Sequence, residues 1–321
     1  MSGRALVSFI LLTYNQQRFV RDAVRSALGQ TYSPLEIIVS DDCSEDGTFE
    51  AIAEEVRRYG ADHKIVLNRN NSNLGIAGNL NRAWELARGE FFVVQAGDDI
   101  SDPRRTAALV ENWMAPYEVD LVVSDVNIMN DGGQVIRLGA GEPVVYPTSL
   151  DQAIDIGFCC ALGCAVGYSR RLYDLYGPLD SRIRTEDCVL PFRAYLGKGV
   201  RYVPVALLKY RVHGGNLGFG LRYKRRQRTW VRQFDAELAT NRLAVVQDWL
   251  RAAELSGTVG VSGLKKLHRW LRLAELDLLG YKGTRFVGVT LAARALLEGL
   301  GLRKAAGLMK RHFLRVDLRT S

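Results

Sequence analysis

Three acidic pairs and one histidine are the residues in this chain best suited to chemistry. Asp41-Asp42 closes the apolar run Leu35 to Val39, and Asp98-Asp99 follows the run Phe91 to Val94. Glu186-Asp187 opens a segment with helical spacing, and His213 lies just beyond the apolar run Val203 to Leu208. A single acidic pair is commonly a helix cap or a solvated turn. Two pairs after two buried strands would share one sheet edge, where their repulsion costs stability unless a cation or hydrogen-bond donors answer it. Hard cations such as Mg²⁺ and Mn²⁺ prefer carboxylates, and Mg²⁺ typically takes one or two plus substrate phosphates. That edge therefore reads as a metal–diphosphate site.

Such residues need a sheet to hold them. Val7 to Leu12 is a continuous apolar run, as expected of a strand buried on both faces. Helical spacing follows through Val20, Ala23, Val24, Ala27 and Leu28. Strands are expected at 35–39, 64–67, 91–94, 121–123 and 164–168, with helices over 48–59 and 78–87. Asn130-Asp131-Gly132-Gly133 reads as a hairpin turn. The alternation predicts an α/β fold with a mostly parallel sheet, whose strand ends carry the ligand site. Thr13-Tyr14-Asn15, at the end of the first strand, joins the acids there. From about residue 220 helical periodicity takes over, so the reading places a domain over 1–220 and a helical C-terminal region over 221–321.

Composition narrows the classes. The chain has 321 residues, 47% hydrophobic and 24% charged, which excludes disorder and a collagen-like fold. Five Cys without paired spacing point to a reducing compartment. No signal peptide and no apolar stretch of spanning length is expected, which places the protein in the cytoplasm. The net charge of +8 is uneven. Residues 221–321 carry 21 Lys and Arg against 8 Asp and Glu, whereas the first 220 residues carry 22 against 27. A basic tail on an acidic body predicts an anionic partner for the tail.

LLTYN at 11–15, QTY at 30–32 and LEIIVSDDCSEDGT at 35–48 resemble the family 2 glycosyltransferases, inverting enzymes of the GT-A fold. The similarity continues through NLG at 73–75, ARGEFFVVQAGDDI at 87–100, TED at 185–187 and YRVHGGN at 210–216. The resemblance implies transfer of a sugar from a nucleotide-diphospho-sugar to an acceptor hydroxyl. Thr13, Tyr14 and Asn15 would line the nucleotide pocket; Asp42, with Asp41, would accept from the base, favouring UDP or dTDP. Asp98 would hold the ribose, and Asp99 with His213 a divalent metal, Mn²⁺ or Mg²⁺, that offsets charge on the departing diphosphate. Ala96 replaces an Asp frequent in the family, leaving the number of metal ligands open. By the family pattern Asp187 is the base and Glu186 its orienting neighbour. Arg211 could pair with phosphate or form a surface salt bridge.

In the C-terminal region, Arg222, Lys224, Arg225, Arg226 and Arg228 form a dense cluster, followed by Lys265-Lys266-Arg269-Arg272 and further basic residues to Arg319. Apolar residues between them predict cationic amphipathic helices at an anionic membrane, on the cytoplasmic face, suited to a lipid-linked glycan acceptor in surface polysaccharide synthesis. A soluble subdomain or a homodimer contact is the other use of such faces. No nucleic-acid partner is expected. Two rival functions are a sugar-nucleotide pyrophosphorylase, which wants a Gly-rich basic loop where Thr13-Tyr14-Asn15 stands, and an inactive nucleotide- or membrane-binding scaffold.

Overall fold

The computed structural model describes residues 4–59, 63–141, 144–216 and 231–282. In chain order the elements are β1 (Val7–Thr13), α1 (Val20–Leu28), β2 (Leu35–Asp41), α2 (Thr48–Arg58), β3 (Lys64–Arg69), α3 (Gly75–Leu86), β4 (Phe91–Ala96) and β5 (Ile100–Ser101). There follow α4 (Arg105–Trp113), β6 (Leu121–Met129), β7 (Val135–Arg137), β8 (Val145–Tyr146), α5 (Leu150–Ile156), β9 (Cys160–Ala161), a 3-10 turn at Gly163–Ala165, and β10 (Val166–Ser169). The last are α6 (Arg171–Tyr176), α7 (Glu186–Leu196), β11 (Val200–Arg211), α8 (Val231–Ser256) and α9 (Val261–Lys282).

The main sheet runs β3-β2-β1-β4-β10-β6-β11-β5, with β7 paired to β6. Strands β3, β2, β1 and β4 are parallel, and so are β6 and β11. Antiparallel β10 lies between the two sets, so all six parallel strands point the same way. Register then brings the loops together. Thr13 pairs with Asp41, and Leu12 with Ala96, so the loops after β1, β2 and β4 leave the sheet on one row. The chain leaving β11 at Arg211 emerges at the same edge, which is where open α/β sheets bind ligands.

Burial explains why these strands form. Val7, Phe9 and Leu11 on one face of β1 pack with Val20, Ala23, Val24 and Ala27 of α1, all fully buried. Each of the Val, Phe and Leu side chains contributes roughly 1.5–3 kcal/mol on removal from water, and each Ala less. Helix α1 is tied to α2 by Arg21 on Glu54 and Glu55 and by Arg25 on Glu55. Strand β11, beyond the expected elements, carries two register shifts between Val203 and Leu208.

The chain divides into two compact units, 1–219 and 220–321. The described part of the second is an α8–α9 hairpin that buries Trp249, Leu250, Leu267 and Leu273 and is bridged by Arg242 and Asp277 at 3.2 Å. No helix among the described residues is long and apolar enough to cross a membrane. The basic cluster 222–228 and the basic residues from 285 to 319 lie outside the described residues.

Candidate functional site

At the first loop, polar side chains stitch β1 to β2. The Asp41 carboxylate is fully buried and accepts from the Thr13 hydroxyl at 2.9 Å, the Ser44 hydroxyl at 2.6 Å and the Ser44 amide at 2.9 Å. Asn15 and Cys43 both adopt positive φ, +50° and +61°, a region that costs a non-glycine residue roughly 1–2 kcal/mol. Hydrogen bonds hold the bend: the Asn15 amide donates to Ser44 Oγ, and Asn15 Oδ1 accepts from the Glu45 amide, both at 2.9 Å. Tyr14 is exposed beside them.

Asp41 and Thr13 therefore support the loop from beneath and do not present free groups to a ligand. Asp42 is also buried, and accepts from Asn70 Nδ2 and from the amides of Leu74 and Gly75, all at 2.9 Å. It caps α3, and about one of its four acceptor sites is left for a ligand.

At the β4 loop the acidic pair divides. Asp98 Oδ2 meets His213 Nε2 at 2.9 Å and Asn216 Nδ2 at 3.4 Å. Asp99 is fully buried, and its Oδ1 accepts the Arg211 amide at 2.9 Å. Its Oδ2 has no hydrogen-bond partner. Burial, then the charge of Asp98, pushes the Asp99 carboxyl well above the usual range. Of the two residues expected at the metal, His213 is hydrogen-bonded to Asp98 and Asp99 keeps its unpartnered Oδ2. Arg211 is buried too, its Nε donating to the Asp98 carbonyl at 2.8 Å and its guanidinium 4.8 Å from the Phe19 ring. Its Nη2 lies 3.6 Å from the exposed Asp22 carboxylate and makes no hydrogen bond. Gly97 allows this packing, since a Cβ there would lie 2.5 Å from Gln16 Oε1 and 2.7 Å from Thr13 Cγ2.

A divalent cation fits this edge. Asp98 and His213 offer an oxygen and an imidazole nitrogen, and Asp99 Oδ2 is an orphaned buried acceptor close by. One or two carboxylates completed by diphosphate oxygens and water is the usual arrangement for Mg²⁺.

Glu186 and Asp187 begin α7, whose N-terminal dipole favours negative charge. A small, mostly apolar cavity lined by Val94, Val166, Tyr168 and Leu190 also touches both acids. Burial is the main cause of their shifts. Glu186 is raised to about 8 by burial and then by Asp187, and Asp187 is raised to about 6 by burial. Both carboxyls are thus raised and share their protons as a pair, Glu186 being the more strongly raised. Asp187 Oδ1 is buried without a hydrogen-bond partner, free to take a proton. Gly163 makes room, because a Cβ there would lie 2.7 Å from Glu186 Oε1.

The Tyr210 phenol is raised, first by burial and then by its electrostatic interaction with Cys164, Asp99, Asp98 and Asp187. Tyr210 and Asn216 sit inside the YRVHGGN stretch, but nothing in their types announced these contacts. Arg105, fully buried and donating to Ser101 Oγ and the carbonyls of Val94 and Cys164, had no sequence signal at all.

Residues 8–177 match the model of glycosyl transferase family 2. The chain belongs to that family. A glycosyltransferase of Nostoc sp. is 26% identical over 65% of this chain and 66% of its own length. The E. coli UDP-Glc:alpha-D-GlcNAc-diphosphoundecaprenol beta-1,3-glucosyltransferase is 28% identical over 50% of this chain and 58% of its own. The matched stretch thus spans less than two thirds of either relative's length. Among solved structures, S. aureus TarS 1-349 with UDP-GlcNAc superposes with a TM-score of 0.55 at 18% identity, over 95% of this chain and 89% of that one. A mannosyltransferase of Pyrobaculum calidifontis with GDP-Man and Mn²⁺ gives 0.53 at 16% identity, over 100% and 89%. The fold of this family 2 member is GT-A.

Proposed function

We propose that the chain is an inverting glycosyltransferase that moves a sugar from a nucleotide-diphospho-sugar to a hydroxyl of a glycan or lipid-linked glycan. The observation that carries this reading is the division of labour within the acids: Asp98 with His213 at the strand edge, and Asp187 with an unpartnered oxygen beside the more strongly raised Glu186. Asp187 takes the proton of the acceptor hydroxyl while the hydroxyl oxygen forms a bond to the anomeric carbon, on the face opposite the diphosphate. The sugar–diphosphate bond breaks and the electron pair leaves with the diphosphate. A positioned base contributes typically about 10²–10⁴-fold.

Asp98 and His213 would hold the divalent metal, which supplies Lewis-acid stabilisation of the leaving group. Asp99 fixes the Arg211 backbone, and through it the place of His213. Tyr14 and Asn15 would flank the nucleotide, and the remaining acceptor site of Asp42 suits a pyrimidine imide N–H, so a UDP or dTDP sugar is the favoured donor. The donors named for the E. coli relative and for TarS support uridine; the archaeal mannosyltransferase, with GDP-Man, keeps guanosine in the test. A diphospholipid-linked glycan is the acceptor named for the E. coli enzyme, and it matches the basic composition of residues 221–321.

Calorimetric titration with UDP, dTDP, GDP and CMP, with and without Mn²⁺, tests the reading. Metal-dependent binding of one nucleotide is expected; no binding by folded protein overturns it. Salt-sensitive co-sedimentation with anionic vesicles tests peripheral attachment separately.

A further inference from the structure

Three metal-ligating atoms meet at the start of α7 that sugar transfer does not require in company. The Sγ atoms of Cys160 and Cys188 and a carboxylate oxygen of Asp187 all lie within 4.8 Å of one another. Separate elements bring them together, Cys160 from β9 and the other two from the first turn of α7. All three residues are partly exposed. Asp187 Oδ1 is nevertheless shielded and has no hydrogen-bond partner. Among the described residues no other three His, Cys, Asp or Glu side chains gather so closely.

The donor set of two sulfurs and one oxygen does not suit the hard cations of the diphosphate edge. Zinc takes Cys sulfur at about 2.3 Å and carboxylate oxygen at about 2.0–2.2 Å, so its tetrahedral ligands stand roughly 3.5–3.8 Å apart. The present spread, within 4.8 Å, is about 1 Å wider than that spacing. Three protein ligands leave a fourth position for water. The hydrogen bond with Cys160, then burial and the charge of Asp187, hold the Cys188 thiol well above its ordinary range, so the ion must displace that proton on binding.

We propose that Cys160, Cys188 and Asp187 form a site for a thiophilic divalent cation of the Zn²⁺ kind, separate from Asp98 and His213, and that its occupation stops transfer by engaging the base. The inhibitory half rests on the reading of Asp187 as base; the site itself does not. On binding, two S–H bonds give way to two sulfur–metal bonds, two protons leave to solvent, and Asp187 enters as the carboxylate. No electron is transferred.

Cd²⁺ titration of the full chain, followed by the ultraviolet thiolate-to-metal band, tests the site. The band is expected to saturate at one ion per chain, to weaken or vanish in Cys160→Ser and in Cys188→Ser, and to persist in Cys43→Ser. Asp187→Asn should keep the band but weaken binding by more than about tenfold, as loss even of a supporting group typically does. Protection of Cys160 and Cys188 from alkylation by Zn²⁺, read by mass spectrometry, gives the same answer without a substitution. No saturable band, or one that survives loss of both thiols, overturns the site. Zn²⁺ should also inhibit transfer at saturating Mn²⁺, and lose that effect in the double serine variant, each rate compared with the same protein's zinc-free rate. A band without inhibition keeps the site and overturns Asp187 as the base.

Discussion

Replacing Glu186 by Gln should stabilise the protein at neutral pH and leave its acid-side activity profile in place. Glu186 is buried, and its carboxyl is raised from 4.5 to about 8, first by burial and then by Asp187. The folded protein therefore binds a proton that the unfolded chain has lost. Between those two values stability falls as pH rises, by about 1.4 kcal/mol for each pH unit. At pH 7 the penalty relative to pH 4.5 is about 3 kcal/mol. Glutamine keeps the shape and a neutral donor and carries no such linkage, so the variant should match wild type near pH 4.5 and exceed it by about 3 kcal/mol at pH 7. Urea unfolding followed by circular dichroism from pH 5 to 8 measures the difference. The shift on Asp187 comes mainly from burial, so kcat/KM of the variant should still fall as pH drops below about 6. Parallel stability curves for the two proteins would refute a proton on Glu186, and with it the unequal division of protons within the pair.

Asp187→Asn should lower transfer by about 10²–10⁴-fold while calorimetry finds donor binding intact; equal loss of binding would remove Asp187 from the proton transfer. Gly97→Ala places a methyl 2.5 Å from Gln16 Oε1 and 2.7 Å from Thr13 Cγ2. Gln16 can swing away, but Thr13 is held by Asp41, so overpacking should cost about 1–3 kcal/mol and weaken donor binding at least about fivefold, read by calorimetry. Asp98→Asn should abolish the Mn²⁺-dependent part of nucleotide binding, whereas Asp99→Asn should retain most of it, because an amide oxygen still accepts from the Arg211 backbone. Equal losses would return Asp99 to the metal.

The elements that could be read from the residues are those whose environment is uniform along their length. Strands β1, β2 and β4 are buried on both faces and appear as apolar runs interrupted only by Ser8, by Glu36 and, near the end of β4, by Gln95. Strand β11 alternates irregularly between buried and exposed, carries Pro204 in its interior, and shifts register twice, so neither period nor composition marks it. Strands β5, β8 and β9 have two residues each, too short for any period. The acids were legible as pairs because type and spacing repeat after successive strands. Which member of a pair faces the cleft was not, since that depends on how each turn leaves its strand. The meeting of Cys160 with Cys188 depends on docking β9 against α7, and neither periodicity nor spacing reports it.

The two Asp-Asp pairs show why this matters for function. In each, one carboxylate is wholly buried and braces a neighbouring segment: Asp41 accepts from Thr13 and Ser44, and Asp99 accepts the Arg211 amide through Oδ1 while its Oδ2 has no hydrogen-bond partner. Removing such a group orphans its donors, at roughly 1–3 kcal/mol each. Asp98 instead shares its oxygen with His213 and Asn216, groups that arrive from β11 and the loop beyond it. His213 reaches Asp98 because the Arg211 amide and guanidinium are pinned two residues earlier, to Asp99 and to the Asp98 carbonyl. Asp99 holds the Arg211 backbone, so loss of activity on its removal would follow whether or not it ever touches a metal. Only the pairing of a shape-conserving substitution with a binding readout separates the two roles.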